Sequence, residues 1–155
     1  MFCNLQDLGG SCPVGYNMFD FNLHPRLAAG SHHLGAVDDC SILLKDNACF
    51  PWMVIVPHVP EGVEDLHQLS QERYTEVTAL LRRVSLFVSE YFRPEKLNVA
   101  CIGNQVRQMH LHVVGRRAGD PAWPGTVWAS EAKQPWEPER VQEIRIAARE
   151  ALGLD

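Results

Sequence analysis

The most informative stretch of this chain runs from Gly103 to Arg117 and reads GNQVRQMHLHVVGRR. Its centre alternates polar and apolar residues, and alternation with a period of two is typical of a β-strand. In such a strand Gln108, His110 and His112 share one face. The opposite face carries three apolar residues, Met109, Leu111 and Val113. We therefore expect the apolar face to pack under a helix and the polar face to line an open hollow.

The same stretch is predicted to be one arm of a hairpin. Residues 97–102 predict a strand, and residues 106–116 predict its antiparallel partner. Gly103-Asn104 lies between them and is typical of a tight turn.

Two more strands are predicted upstream. Residues 41–45 and 52–57 are apolar and partly β-branched, and Asp46-Asn47 separates them. Such a pattern is typical of two paired strands. Residues 23–39 contain proline, glycine and histidine without a regular period, so we expect an irregular segment there.

A change of period predicts two helices. After Ser70, a good N-cap, apolar residues recur at steps of three and four until Arg93-Pro94 ends the helix. Pro138 opens a last helix. The order of strands, helix, strands and helix predicts an α+β fold.

The composition predicts a single domain. The chain has 155 residues, of which 46% are hydrophobic and 21% are charged. That is enough for one core and too little for two. We expect residues 18–155 to form this domain and residues 1–17 to be a flexible leader, with Met18 as an alternative start of the native fold.

Net charge and cysteine content narrow the functional classes. The formal charge of −5 argues against binding to a nucleic-acid polymer, which needs a basic surface, although a few local donors can hold a single phosphate. The five cysteines are an odd number without a C-x-x-C pair, which favours a reducing, cytoplasmic location. No apolar run reaches the length of a membrane span, so no membrane partner is expected.

The paired histidines indicate phosphoryl chemistry. A neutral imidazole is a good nucleophile near pH 7, because its unperturbed pKa is about 6.5. His110 could therefore attack a phosphorus atom while His112 gives a proton to the departing group. Amides near the Gly103-Asn104 turn could hold the non-bridging oxygens.

Two other interpretations of His110 and His112 stay open at this point. The pair could simply pack or hydrogen-bond on a half-exposed sheet face. It could also bind zinc or copper, but a metal needs a third ligand, and no cysteine or carboxylate lies at an obvious local spacing. We therefore expect neither a metal nor another cofactor.

The wider sequence resembles the histidine-triad (HIT) family, whose signature is His-φ-His-φ-His-φ-φ with φ apolar. Residues 108–114 read Gln-Met-His-Leu-His-Val-Val, which is the same pattern with glutamine in place of the first histidine. Residues 116–128, His24 to Leu27 and Pro51-Trp52 resemble a bacterial HIT-like subgroup. The resemblance covers residues 19–153.

This resemblance implies a fold and an activity. The fold is a five-stranded antiparallel sheet with a long central helix and a C-terminal helix, and the chain is expected to form a homodimer by joining sheets. The activity is that of a nucleotide-conjugate hydrolase or nucleotidyl transferase. It acts at the α-phosphate of a purine nucleotide or nucleotide conjugate through a covalent nucleotidyl-histidine.

The resemblance also implies roles for single residues. His110 takes the place of the nucleophile, and His112 that of the histidine that binds the phosphate and helps the leaving group. Asp46 matches the acidic residue that binds the ribose hydroxyls. Phosphate contacts are expected from three amide side chains, Asn104, Gln105 and Gln108.

Two residues depart from the family pattern. Gln108 stands in place of the first triad histidine, and Trp52 stands where many members have a histidine on an early strand. A glutamine can form hydrogen bonds but cannot carry charge or change tautomer. Both departures favour an alternative, a non-catalytic nucleotide-binding HIT-like module.

Several residues near the signature are expected to be structural. Arg116 and Arg117 lie at the end of a predicted strand, where we expect a solvated edge of the sheet. Asp120 is interpreted as a loop cap rather than an acid. Three tryptophans are expected to anchor the core or loops rather than to stack on a nucleobase or cover a partner subunit, namely Trp123, Trp128 and Trp136.

Overall fold

The structure, a computed structural model, describes residues 21–155. Five strands are present in this part: β1 Ser31–Val37, β2 Cys40–Lys45, β3 Trp52–Pro57, β4 Lys96–Cys101 and β5 Leu111–Arg116. Three α-helices accompany them: α1 Pro25–Ala29, α2 Gln71–Phe92 and α3 Pro138–Leu152. The strands form one antiparallel sheet in the order β1-β2-β3-β5-β4. The expected α+β fold is confirmed, and the predicted leader, residues 1–17, lies outside the described residues.

The long helix α2 has the predicted ends. The Ser70 hydroxyl accepts a hydrogen bond from the backbone N–H of Arg73 at 3.1 Å, which caps the first turn. Arg93 ends the helix in a left-handed conformation with φ of 51°, and Pro94 follows. No helix within residues 21–155 is long and apolar enough to cross a membrane.

One face of the sheet packs against α2 and α3. Apolar residues of the two helices, among them Val84 and Ile144, are fully buried against this face. Met109, Leu111 and Val113 lie in the same core, which confirms their predicted place under the long helix. Burial of these side chains is the main stabilising contribution to the fold.

Loops and the short helix α1, through Leu27, cover the opposite face. Phe50, Val106 and Val127 pack over side chains of the central strands, including Trp52 and Val54, to form a second apolar cluster. The sheet is therefore buried on both faces. Double burial explains why nearly every residue of β2, β3 and β5 is buried, and why β3 is apolar from Trp52 to Pro57 instead of alternating.

Two predictions about the chain path are wrong. The expected tight turn at Gly103-Asn104 is a longer connection, because Cys101 pairs with Leu111 and β5 begins only there. The chain leaves the sheet between them to bury Val106 in the second cluster. Residues 23–39 are ordered as α1 and β1, and a bulge between His33 and Gly35 breaks the register of β1 and hides its periodicity.

Arg116 is a buried structural residue rather than part of a solvated edge, which corrects the expectation for it. Its side chain is 2% exposed and forms two hydrogen bonds with the Asp120 carboxylate, at 2.7 and 2.9 Å. It also donates to Asn98 and to the Gly125 carbonyl. Asp120 accepts from the backbone N–H of Ala122 as well, which confirms it as the residue that holds its loop. These contacts, first the Arg116 hydrogen bond, lower the pKa of Asp120.

We predict that Asp120→Ala lowers the free energy of unfolding by about 3–5 kcal/mol, because it leaves a buried guanidinium without its counterion. The matched control is Glu143→Ala, which breaks the exposed Arg140–Glu143 pair and is expected to cost less than about 1 kcal/mol. Urea denaturation followed by tryptophan fluorescence measures both. Equal losses in the two variants would contradict a structural role for the buried pair.

Candidate active site

A cavity of about 520 Å³ lies on the sheet face that the loops cover. Its walls come from the strand ends, from the 102–106 connection and from residues 127–133. His110 and His112 both line it. Although each imidazole belongs to a residue that is only 6% exposed, the pair is accessible from this cavity.

The backbone fixes the protonation of His110. Its Nδ1 lies 2.7 Å from the carbonyl oxygen of Gln108, and a carbonyl can only accept. The proton therefore sits on Nδ1, and Nε2 carries the lone pair. Burial lowers the pKa of His110 below its ordinary 6.5, partly offset by the Gln108 carbonyl. The ring is neutral at pH 7 and its free nitrogen is nucleophilic.

His112 has the opposite tautomer. The indole N–H of Trp52 donates to its Nδ1 at 3.0 Å, and an indole can only donate. The proton of His112 therefore sits on Nε2. Burial, followed by the positive charges of His110 and Lys45, lowers the pKa of His112 to about 3. This ring stays neutral and offers a hydrogen-bond donor.

The two imidazoles lie side by side within an aromatic cluster. Their ring centroids are 4.8 Å apart and their planes are nearly perpendicular, at 81°. The Trp128 ring packs against His112 with a centroid distance of 5.4 Å, and Trp52 packs at 5.6 Å. These edge contacts hold the His112 ring in one orientation.

The structure brings two of the predicted phosphate-binding residues to the cavity. Asn104 and Gln105 both line it. Arg26 lines it as well, and its guanidinium donates to the Gln105 side-chain oxygen at 2.9 Å and to the Gln105 carbonyl at 3.3 Å. Gln105 therefore positions a guanidinium whose role the sequence analysis did not assign.

Gln108 and Asp46 are not brought to the cavity, contrary to expectation. Both ends of the Gln108 amide bind backbone: its oxygen accepts from the N–H of His24 and its nitrogen donates to the carbonyl of Asn22, each at 2.9 Å. Gln108 precedes β5, so strand alternation does not place it beside His110. Asp46 accepts from the backbone N–H of Trp136 and lies 3.0 Å from His32, and these contacts lower its pKa.

Two functional candidates, Lys45 and Lys133, were not predicted, whereas Trp52 and Trp128 were singled out without being assigned to the site. Lys45, Lys133, Trp52 and Trp128 line the cavity. The only feature of the sequence that could have indicated one of these lysines is the position of Lys45 at the end of an apolar strand. None of the lining residues that the structure describes is acidic, so this hollow is basic in a protein with a net charge of −5.

A metal site is not formed by the described residues. Within residues 21–155 no three His, Cys, Asp or Glu side chains are grouped so that they could hold a metal ion. Among these residues, His110 and His112 have no third ligand of the kind that a metal pair needs.

The protein has an α+β fold, and its antiparallel sheet presents two neighbouring imidazoles to a cavity. This is the arrangement of a histidine-triad protein. Comparison with family models matches residues 27–119 to the HIT domain. The chain belongs to the HIT family, and this superfamily includes nucleotide-binding proteins, hydrolases and transferases. No curated protein matches the chain closely enough to count as a relative.

Solved structures agree with this assignment. A histidine triad protein from Marinobacter aquaeolei VT8 is 36% identical, with 86% of this chain and 96% of that chain covered and a TM-score of 0.81. One from Bradyrhizobium japonicum is 30% identical, with coverage of 84% and 97% and a TM-score of 0.81. One from Sinorhizobium meliloti 1021 is 30% identical, with coverage of 85% and 97% and the same TM-score.

We predict that Trp52→Phe releases the tautomer of His112. The pKa of His112 should rise by about one pH unit, the value of one lost hydrogen bond to the neutral ring, and both ring nitrogens should share the proton. Nitrogen-15 chemical shifts of the imidazole report both quantities. Trp128→Phe is the matched control, because that indole contacts the same ring without donating to it. An unchanged Nε2–H tautomer in Trp52→Phe would show that the indole does not set it.

Proposed function

We propose that the protein is a nucleotide-conjugate hydrolase or nucleotidyl transferase with His110 as its nucleophile. The observation that carries this proposal is the 2.7 Å hydrogen bond between Nδ1 of His110 and the Gln108 carbonyl. It leaves a neutral Nε2 lone pair on a residue that lines the cavity. Membership of the HIT family supports a nucleotide as the ligand.

The proposed reaction has two displacements at the α-phosphorus. Nε2 of His110 forms a bond to phosphorus, and the bond to the leaving group breaks with its electron pair on the departing atom. Water then forms a new P–O bond and releases a proton to solvent, while the P–N bond breaks and its electron pair returns to Nε2. The product is a nucleoside monophosphate. Another acceptor in place of water makes the reaction a transfer.

His112 is proposed to bind the phosphate rather than to deliver a proton. Its Nε2–H is a fixed donor, because Trp52 occupies Nδ1. Asn104, Gln105 and Arg26 add donors from the cavity wall for the charge that develops on the non-bridging oxygens. Preorganised donors of this kind stabilise a transition state without reorganisation.

The purine is proposed to lie against the apolar part of the cavity. Leu27, Val127 and Trp128 line that part and can pack on a flat base. The indole N–H of Trp128 is buried and has no hydrogen-bond partner within residues 21–155, so it can donate to a ligand atom. Asp46, by contrast, is engaged with Trp136 and His32, which removes the support for its contact to ribose.

The protein is proposed to form a homodimer through β4. The two edges of the described sheet are β1 and β4. Asp155 binds the backbone of Ala36 on β1 through two hydrogen bonds, whereas β4 exposes Val99 at 48%. A strand edge with an apolar side chain invites pairing with a second copy.

We predict that His110→Asn abolishes covalent labelling by a nucleotide conjugate, because asparagine has no nucleophilic lone pair. Intact-mass spectrometry after exposure to a panel of nucleotide conjugates detects the nucleotidyl adduct. His67→Asn is the control, since His67 is exposed and lies outside the cavity. Labelling that persists in His110→Asn would refute His110 as the nucleophile.

The same samples test the alternative, a non-catalytic nucleotide-binding module. The side chain of Gln108 favours that alternative, because it holds the backbone of residues 22 and 24 and does not take the place of a third histidine beside His110. Calorimetric titration with AMP beside a turnover assay separates the two. Binding of AMP without adduct or turnover would support the module.

We predict that the acidic limb of the pH profile of kcat/KM has its midpoint below pH 6.5. Only neutral His110 can attack, and burial lowers its pKa, so the ring stays neutral at pH values where a free histidine is protonated. Activity is thus retained to a lower pH than a free histidine would allow, and it is lost as the pH falls through the lowered pKa. A midpoint at or above pH 6.5 would contradict attack by a buried neutral imidazole.

A further inference from the structure

We propose that Lys45 and Lys133 form an anion subsite in the cavity, and that this subsite binds a second phosphate joined to the one that His110 attacks. The proposal rests on the nucleotide binding of the proposed function and specifies the substrate class. That class consists of conjugates whose leaving group begins with a phosphate.

Lys45 lies beside both imidazoles without a partner of its own. It ends β2, lines the cavity and is partly buried. Within residues 21–155 its ammonium forms neither a hydrogen bond nor an ion pair. The neighbouring Asp46 carboxylate binds Trp136 and His32 instead, and its charge raises the pKa of Lys45 by less than burial and Lys133 lower it. The positive charge of Lys45 lowers the pKa of both His110 and His112, after burial, so the ammonium lies within electrostatic range of both rings.

A buried amide places Lys133 next to Lys45. Asn47, which is 8% exposed, donates to the Ala132 carbonyl at 2.8 Å and accepts from the Gln134 backbone N–H at 3.2 Å. Lys133 lies between these two anchored residues and lines the same cavity. After burial, its charge is the next cause of the lowered pKa of Lys45. Two lysines that line one cavity, with no carboxylate among its described lining residues, form a site for an anion.

Gly30 leaves the space that the Lys45 ammonium occupies. A Cβ atom at Gly30 would lie 2.7 Å from Nζ of Lys45. The φ of Gly30 is −100°, which an alanine can adopt. Gly30→Ala therefore displaces the ammonium without removing its charge.

The protonation of the histidines selects the same substrate class. His112 stays neutral, so the leaving group departs without a proton from it. When the P–O bond breaks, the electron pair stays on the bridging oxygen of the leaving phosphate, and two ammonium groups can neutralise that charge. An amine leaving group would need a proton and has no use for two cations.

Calorimetric titration tests the subsite with three probes: AMP, ADP and inorganic pyrophosphate. The His110→Asn protein is titrated, so that no ligand is consumed. We expect ADP to bind about 10- to 100-fold more tightly than AMP, the factor for a charge-assisted contact to a second phosphate. Pyrophosphate should bind to the same cavity without a nucleoside.

Variants of the two lysines and of Gly30 test which residues cause the preference for ADP over AMP. In the same background, Lys45→Gln, Lys133→Gln and Gly30→Ala should each reduce the preference for ADP and weaken pyrophosphate binding, with AMP affinity changed less than threefold. Lys96→Gln is the control, because it removes the remaining lysine of the chain, which is exposed and outside the cavity. The Gly30→Ala variant retains every charge, so a change in its affinity for ADP or pyrophosphate reports only the position of the Lys45 ammonium.

The outcomes separate this inference from the proposed function. Equal affinity for AMP and ADP overturns the subsite, and so does a preference for ADP that both lysine variants retain. A parallel loss of AMP and ADP binding in Lys45→Gln overturns it too, because Lys45 would then hold the first phosphate. A wild-type protein that forms no adduct refutes the nucleophile, whereas lysine-dependent pyrophosphate binding in that protein still supports the subsite.

Discussion

Burial of the sheet on both faces is the constraint on which the site depends. A polar group on a buried face is costly unless it finds a hydrogen-bond partner. On the face that the loops cover, Trp52 donates to His112 and Gln108 accepts from His110. The partners that satisfy these rings also fix where their protons lie. The requirement for buried hydrogen bonds thus gives two chemically identical side chains different tautomers.

The two tautomers give the two imidazole rings different chemical properties. An imidazole with a free Nε2 is a nucleophile, whereas one with a protonated Nε2 is a donor. Under the proposed function, His110 and His112 therefore take complementary roles, one as nucleophile and one as hydrogen-bond donor. The basic lining of the cavity adds to this, because an anion attracted by Lys45 or Arg26 meets both rings at once. A net negative charge on the whole protein does not oppose so local an effect.

Residue type alone was a poor guide to which polar residues act. Arg116 and Gln108 lie within the signature region, yet both are occupied in holding loops to the sheet. Lys45 and Lys133, which carry no motif, reach the cavity because Asn47 pins the 132–134 segment over the end of β2. Within the part of the chain that the structure describes, the side chains of the cavity-lining lysines form no structural hydrogen bond, and this distinguishes them from Arg116.

The sequence by itself determined the elements whose signal is local. The three- and four-residue period of α2 and the alternation of Met109, Leu111 and Val113 follow from how each element buries one face, and both predictions were confirmed. Only the tertiary structure decided the path of residues 102–110, the bulged β1 and the contacts of Trp52, Arg26 and Gln108. Those contacts join residues about 60 to 86 positions apart, and packing sets them. Periodicity carries no information at that separation.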